Sequence, residues 1–247
     1  MAFQQSVNRY LAPGVKGGWA SANPHASLLQ SNNGDLGENA SPIAVWMVGA
    51  AGAIVGQFAF ADTATGKVTS SSSGGPVMTD TAAGTVRVGF VQRDQFALIT
   101  PYMAGSTETL FEGQPITLLV AGDVWAEFAD GAAVGQFVFA SYADGSAIAG
   151  ASSTPPVAAA TTVTNTLGQP TLTVTAGPVP AVGSPISGTG VPAGARVISV
   201  AGTLVTMSAN STAGVTSIVA TTAAPTGFRV NSPAAAGDIA KISVWGA

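Results

Sequence analysis

The chain has 247 residues, with 31 Gly, 15 Pro, only 8% charged residues and a formal net charge of −4. It contains no Cys, which excludes disulfides, zinc–thiolate sites and thiol nucleophiles. Its eight Lys and Arg stand singly along the chain, so no basic run points to nucleic acid.

Long runs of strong helix formers at helical spacing are nearly absent, and β-branched runs punctuated by Gly and Pro are frequent. An all-β protein of many short strands follows. Residues 1–40 have breakers at Pro13-Gly14, Gly17-Gly18, Asn23-Pro24 and Asn33-Gly34. Tyr10, Leu11, Trp19, Leu28 and Leu29 make this segment too apolar for a plain disordered tail. It reads as an extended N-terminal arm that docks on its own domain, a sister subunit or another protein, with Trp19 as an interface anchor. The opening MAFQQSVNRY lacks the apolar core of a secretory leader, so a protein made and used without export by that route is expected.

Residues 43–61 are apolar except for Gln57 and long enough to span a bilayer. Gly49, Gly52 and Gly56 divide them into strand-sized pieces, and buried strands can be continuously apolar. Strands, and no membrane contact, are therefore expected. VGQFAFADTATG, from Val55, returns 79 positions later as VGQFVFASYADG, from Val134. Each copy reads as a hairpin with a Gly-bearing turn. Phe58 and Phe60, and likewise Phe137 and Phe139, share a strand face that should be core.

A Gly-Phe strand follows each hairpin, at Gly89 and at Gly227, and a Gly-Asp strand follows that, at Gly122 and at Gly237. This order implies an internally duplicated scaffold of jelly-roll or sandwich type. From Gly66 to Gly89 is 23 positions and from Gly145 to Gly227 is 82, so the second copy carries about 59 extra residues. They read as an inserted small β domain, 158–222, between linkers ASSTPPVAAATT and TTAAPTG. The scaffold is then 41–157 with 223–247. The first copy has its own excursion, within Arg93–Thr117, predicted to meet a partner surface or a sister subunit.

The search for chemistry yields little. His25, the sole His, sits in the arm beside Pro24. Asp123 and Glu127 share a strand face and could serve as a carboxylate pair, but a solvent-facing strand edge is the plainer reading. Gly188–Gly194 fails as a nucleotide loop because Pro192 interrupts it and no helix follows. Trp46, Trp125 and Trp245 read as core. No catalytic residue, metal site or cofactor is expected.

Several stretches together carry a resemblance: QQSVNRYLAPGVKGGWASANP, GFVQRDQFALIT, GDVWAEF and the closing AAAGDIAKISVW. In order and spacing they resemble the cement (decoration) proteins of tailed-bacteriophage capsids, over roughly residues 1–150 and 223–247. The resemblance implies a jelly-roll-like homo-oligomer, trimer favoured over dimer, on the outer capsid surface of the virion, assembled in the host cytoplasm. It would bridge neighbouring major capsid subunits. It also implies interface residues Asn8, Arg9, Tyr10, Pro13, Arg93 and Gln95, beside Trp19. The 158–222 insert departs from the family and looks like a small module that recurs in phage surface and tail proteins. Attachment to a host glycan or receptor through that insert is the alternative function.

Overall fold

The structure, a computed structural model, describes residues 14–21, 23–27, 46–62, 66–70, 87–93 and 108–244. Among these residues all regular structure is β. Before Gly122 lie β1 (Ala26–Ser27), β2 (Trp46–Val48), β3 (Ala53–Ile54), β4 (Phe58–Asp62), β5 (Lys67–Thr69), β6 (Arg87–Val91), β7 (Thr109–Leu110), β8 (Pro115–Ile116) and β9 (Leu118–Ala121). They form a seven-stranded sheet, β1-β9-β6-β4-β5-β2-β8, and a β3-β7 ribbon. After Gly122 come β10 (Asp123–Phe128), β11 (Phe137–Ser141) and β12 (Ala147–Gly150). The insert contributes β13 (Thr161–Asn165), β14 (Thr171–Ala176), β15 (Ile186–Ser187), β16 (Val197–Ala201), β17 (Leu204–Met207) and β18 (Ser217–Ala220). Then β19 (Ala223–Val230) and β20 (Asp238–Ser243) complete a five-stranded sheet, β10-β20-β19-β11-β12. The apolar run 43–61 is thus broken into strands, and among the described residues no helix is long and apolar enough to cross a membrane.

The duplication is visible in hydrogen bonds. Gly66 donates to the Asp62 carbonyl at 2.9 Å, and Gly145 to Ser141 at 2.9 Å, both shifted by the same 79 positions. Gly56 donates to the Val91 carbonyl and Gly135 to the Val230 carbonyl, both at 2.8 Å. Strands β1, β4, β5, β6 and β9 of the first sheet therefore correspond, in chain order and in position, to β10, β11, β12, β19 and β20 of the second.

Two expected correspondences shift. Phe137 faces Arg229 while Phe139 faces Pro225, so a bulge in β19 displaces Gly227-Phe228 from the place of Gly89-Phe90. The counterpart of β20 in the first repeat is β9, with Leu118 in the place of Ile242, rather than the Gly-Asp strand β10, which pairs with β20. Gly122, at φ +136°, turns β9 directly into β10, so one bent run of chain belongs to both sheets.

The two repeats stack in the same sense, like two spoons, rather than face to face. Phe58, Phe60, Phe90 and Leu119 of the first sheet pack on Val124, Val138, Ala140, Val230 and Ile242 of the second. Phe58 meets Phe90 and Phe228 edge-on at 5.3 and 5.9 Å, and Phe60 stacks on Tyr142 at 5.5 Å. On the opposite face of β4, Ala59 and Ala61 are buried with Trp46, Val48, Leu110 and Ile116. The described part of the first excursion, 108–117, therefore covers the chain's own sheet.

The phenylalanine expectation holds in full for the first copy, whereas in the second Phe139 is buried but Phe137 only half-buried. In the second, Val138 and Ala140 face the shared core. Phe137 and Phe139 lie on the far side of that sheet, with the Arg229 guanidinium 3.9 Å above the Phe137 ring.

The insert is a closed barrel. Its sheet runs β15-β18-β13-β14-β17-β16, and Pro185 bridges Arg196 to join the two ends. Closure leaves no open edge, and the interior is filled by Val163, Leu172, Val197, Val205, Met207 and Ile218. The segment TTAAPTG, read as a linker, is largely the buried beginning of β19, because Ala223 and Ala224 pair with Ser141 and Ala140. The other linker is tied down as well: Thr222 donates to the Pro156 carbonyl at 2.9 Å and Val157 bridges Thr221. Arg196 also hydrogen-bonds Tyr142 of the scaffold.

The turn glycines give a paired test of the stacking. Gly135 and Gly145 both have positive φ, but only at Gly145 would a Cβ strike backbone, at Phe58 and Ser70 of the first repeat. Gly135→Ala should cost about 1 kcal/mol in denaturant unfolding and Gly145→Ala at least about 2 kcal/mol more. Equal costs would mean that the turn does not hold the repeats together.

Candidate functional site: the arm groove where the two sheets meet

The described part of the arm lies in a groove at the bend between β9 and β10. Gly14 rests on the Trp125 indole, where any Cβ would overlap the ring. Gly17 and Gly56 come as close as two backbones allow, with the Lys16 side chain beside them. The glycines of GVKGG, 14–18, are thus a fit to the groove floor. Gly17 donates to Trp125 at 2.9 Å, Trp125 to Gly18 at 3.0 Å and Ala20 to Asp123 at 2.8 Å. With the Trp19–Val124 bridge, residues 17–20 add an antiparallel strand to the edge strand β10. Ala26–Ser27 then add to β9 as β1, the first strand of the first repeat.

Charges fasten this strand. Lys16 Nζ lies 3.3 Å from Glu108 and 3.1 Å from Glu127. Arg93 donates through Nε to the Lys16 carbonyl at 3.0 Å and pairs through Nη2 with Glu108 at 3.1 Å. Each such half-exposed pair contributes at most about 1 kcal/mol, but they share partners and act on one turn of chain.

Asp123 is the buried member, 2% exposed. It accepts from Ser21 Oγ at 2.6 Å and Asn23 Nδ2 at 2.8 Å, both in the arm, and pairs with Lys241 of β20 at 2.9 Å. Burial alone would raise its pKa. The hydrogen bonds from Ser21, Ser243 and Lys241, with the Lys241 charge, outweigh burial and bring it down to about 2.

Of the residues singled out from sequence, Trp19 sits in this strand, 39% exposed, with its ring tilted 4.6 Å from His25. Arg93 is engaged with the arm and Glu108. Asn8, Arg9, Tyr10, Pro13 and Gln95 lie outside the described residues, as does Trp245. Trp46 is buried, whereas Trp125 is half-buried and roofed by Gly14. Asp123 and Glu127 do share a face, and each is taken up by a lysine, Lys241 and Lys16. The described residues contain no cluster of His, Asp and Glu that could hold a metal ion. The reading of sequence missed Lys16 and the role of Asp123. Their partners lie about a hundred positions away, and no local pattern marks them.

A family model described as XM1 gp53 minor capsid protein matches residues 3–170, which is 168 of the 247 positions. The match includes the arm, the first repeat and β10–β12. No curated protein and no solved structure matches.

The lowered pKa of Asp123 fixes an acid dependence. Its folded value lies below the ordinary 3.8, so its stabilisation is fully present above about pH 5 and is lost as pH falls toward 2. Asp123→Asn should cost about 2 kcal/mol at pH 7 and flatten the fall of stability between pH 5 and 2. Unfolding curves at stepped pH check this; an unchanged acid limb in the variant would show that Asp123 does not carry it.

Proposed function

The chain belongs to the XM1 gp53 minor capsid protein family, and from that premise we propose that it is a cement protein on the outer surface of a phage capsid. In this reading it bridges neighbouring major capsid subunits as a homo-oligomer, a trimer rather than a dimer, after assembly in the host cytoplasm. The family match carries the reading. Other features support it. The net charge of −4 suits the outside of a DNA-filled shell. The groove residues that could do chemistry are spent on fastening the arm. Many weak copies on a symmetric shell gain avidity from repetition.

A second reading gives the barrel a role in attachment to a host glycan or receptor. It is favoured by the barrel's closure and by its two ends leaving the scaffold side by side at Pro156–Thr222. Residues 151–227 hold no aromatic residue and no carboxylate, and Arg196 is their one charge. Such a surface has no ring for a sugar to stack on.

Shells stripped of the protein should rupture at lower temperature than shells with it restored. Because Pro156 and Thr222 are hydrogen-bonded neighbours, a short Gly-Ser turn can replace 158–221, and that form should restore the rupture temperature fully. Equal rupture temperatures with and without the protein would overturn the cement reading. Restored shells that fail to adsorb to cells when the barrel is missing would establish the second.

A further inference from the structure

We propose that the groove is exchangeable between copies: on a crowded surface the strand 14–27 of one chain docks in the groove of its neighbour. The inference rests on the capsid reading for its setting, but the exchange itself is a property of the chain.

The groove is made without the arm. Its floor is Trp125, Asp123 and Glu127, and its walls are Gly56, Glu108 and Arg93. The fastenings cross from the strand to these residues and to Leu119 and Ala121 of β9, so the same bonds form whichever chain supplies the strand. The covalent link to the rest of the chain is long. Strands β1 and β2 stand five places apart in the first sheet, about 24 Å at ordinary strand spacing. The 18 residues 28–45 between them can reach about 60 Å. The surplus is enough to cross to an adjacent molecule. Exchange of an identical element costs little, because no contact is lost. In dilute solution the tether favours the chain's own groove, since it holds the strand at an effective concentration of about millimolar. Packed neighbours on a shell match that concentration.

The ion pairs supply the assay. A carbodiimide couples the Lys16 amine to the Glu127 or Glu108 carboxyl as an amide, the water being taken up by the reagent as its urea. Unlabelled and 15N-labelled full chains are mixed, loaded together on empty shells and coupled. The joined peptides are then read by mass. At micromolar concentration in solution, Lys16–Glu127 peptides should carry one label only. On shells, mixed-label peptides should appear and approach the statistical half of the total. The Lys67–Glu112 pair, 2.9 Å apart between β5 and the turn that follows β7, should stay single-label throughout and controls for tangling.

Single-label Lys16–Glu127 peptides on shells that have bound the protein would overturn the exchange. Should the chain not bind shells, the cement reading fails instead. The exchange is then read from the two labelled chains refolded together at several millimolar, where mixed peptides are still expected and their absence is fatal.

Discussion

A sheet that is apolar on both faces must be covered twice. Strand β4 is such a sheet's centre: Phe58 and Phe60 point one way, Ala59 and Ala61 the other, and all four are buried. The rest of the architecture answers that demand. The second repeat covers the phenylalanine face. Strands β2, β3, β7 and β8, with the Phe111–Gln114 turn between the last two, cover the alanine face. Because the repeats stack in one sense, the second sheet inherits an outer face of its own. The arm closes part of that face over Trp125 and Asp123.

Charge is used inside the molecule. Lys16, Lys67, Arg93 and Lys241 make ion pairs, Arg229 covers Phe137, and Arg196 joins the barrel to Tyr142. These fastenings sit where pieces distant in sequence meet: arm on groove, excursion on sheet, barrel on scaffold. Among the described residues these basic side chains thus hold seams together, while Asp130, Asp144 and Asp238 are exposed.

Much of this was legible in the sequence, and what was not has physical causes. The hairpin repeat showed itself because turn geometry constrains glycine to fixed positions, and the hydrogen bonds at Gly66 and Gly145 keep the 79-residue offset. The register beyond the hairpin did not, because a bulge in β19 adds residues that no local pattern marks. Period-two spacing placed Phe137 and Phe139 on one face, but nothing in the strand says which face meets the core when stacking is same-sense. TTAAPTG looked like a linker because small residues and Pro serve both tethers and tightly packed strand ends. The arm was recognised as a docking element. Its groove was hidden, since Trp125 and Asp123 lie about a hundred residues downstream.

The tie at Pro156 and Thr222 also bears on how the chain reaches this fold. Pairing of β11 with β19 joins Phe137 to Arg229, 92 positions apart. Such distant pairings are slow, because the entropy of closing the intervening loop is lost before contacts form. The barrel has its own core and closes on itself, and its two ends leave side by side. A barrel that forms first leaves only the 19 positions from Phe137 to Pro156 and the 7 from Thr222 to Arg229 in the loop to be closed. An insert whose two ends leave side by side therefore adds little to the loop-closure entropy of the sheet that it interrupts once its own barrel is closed.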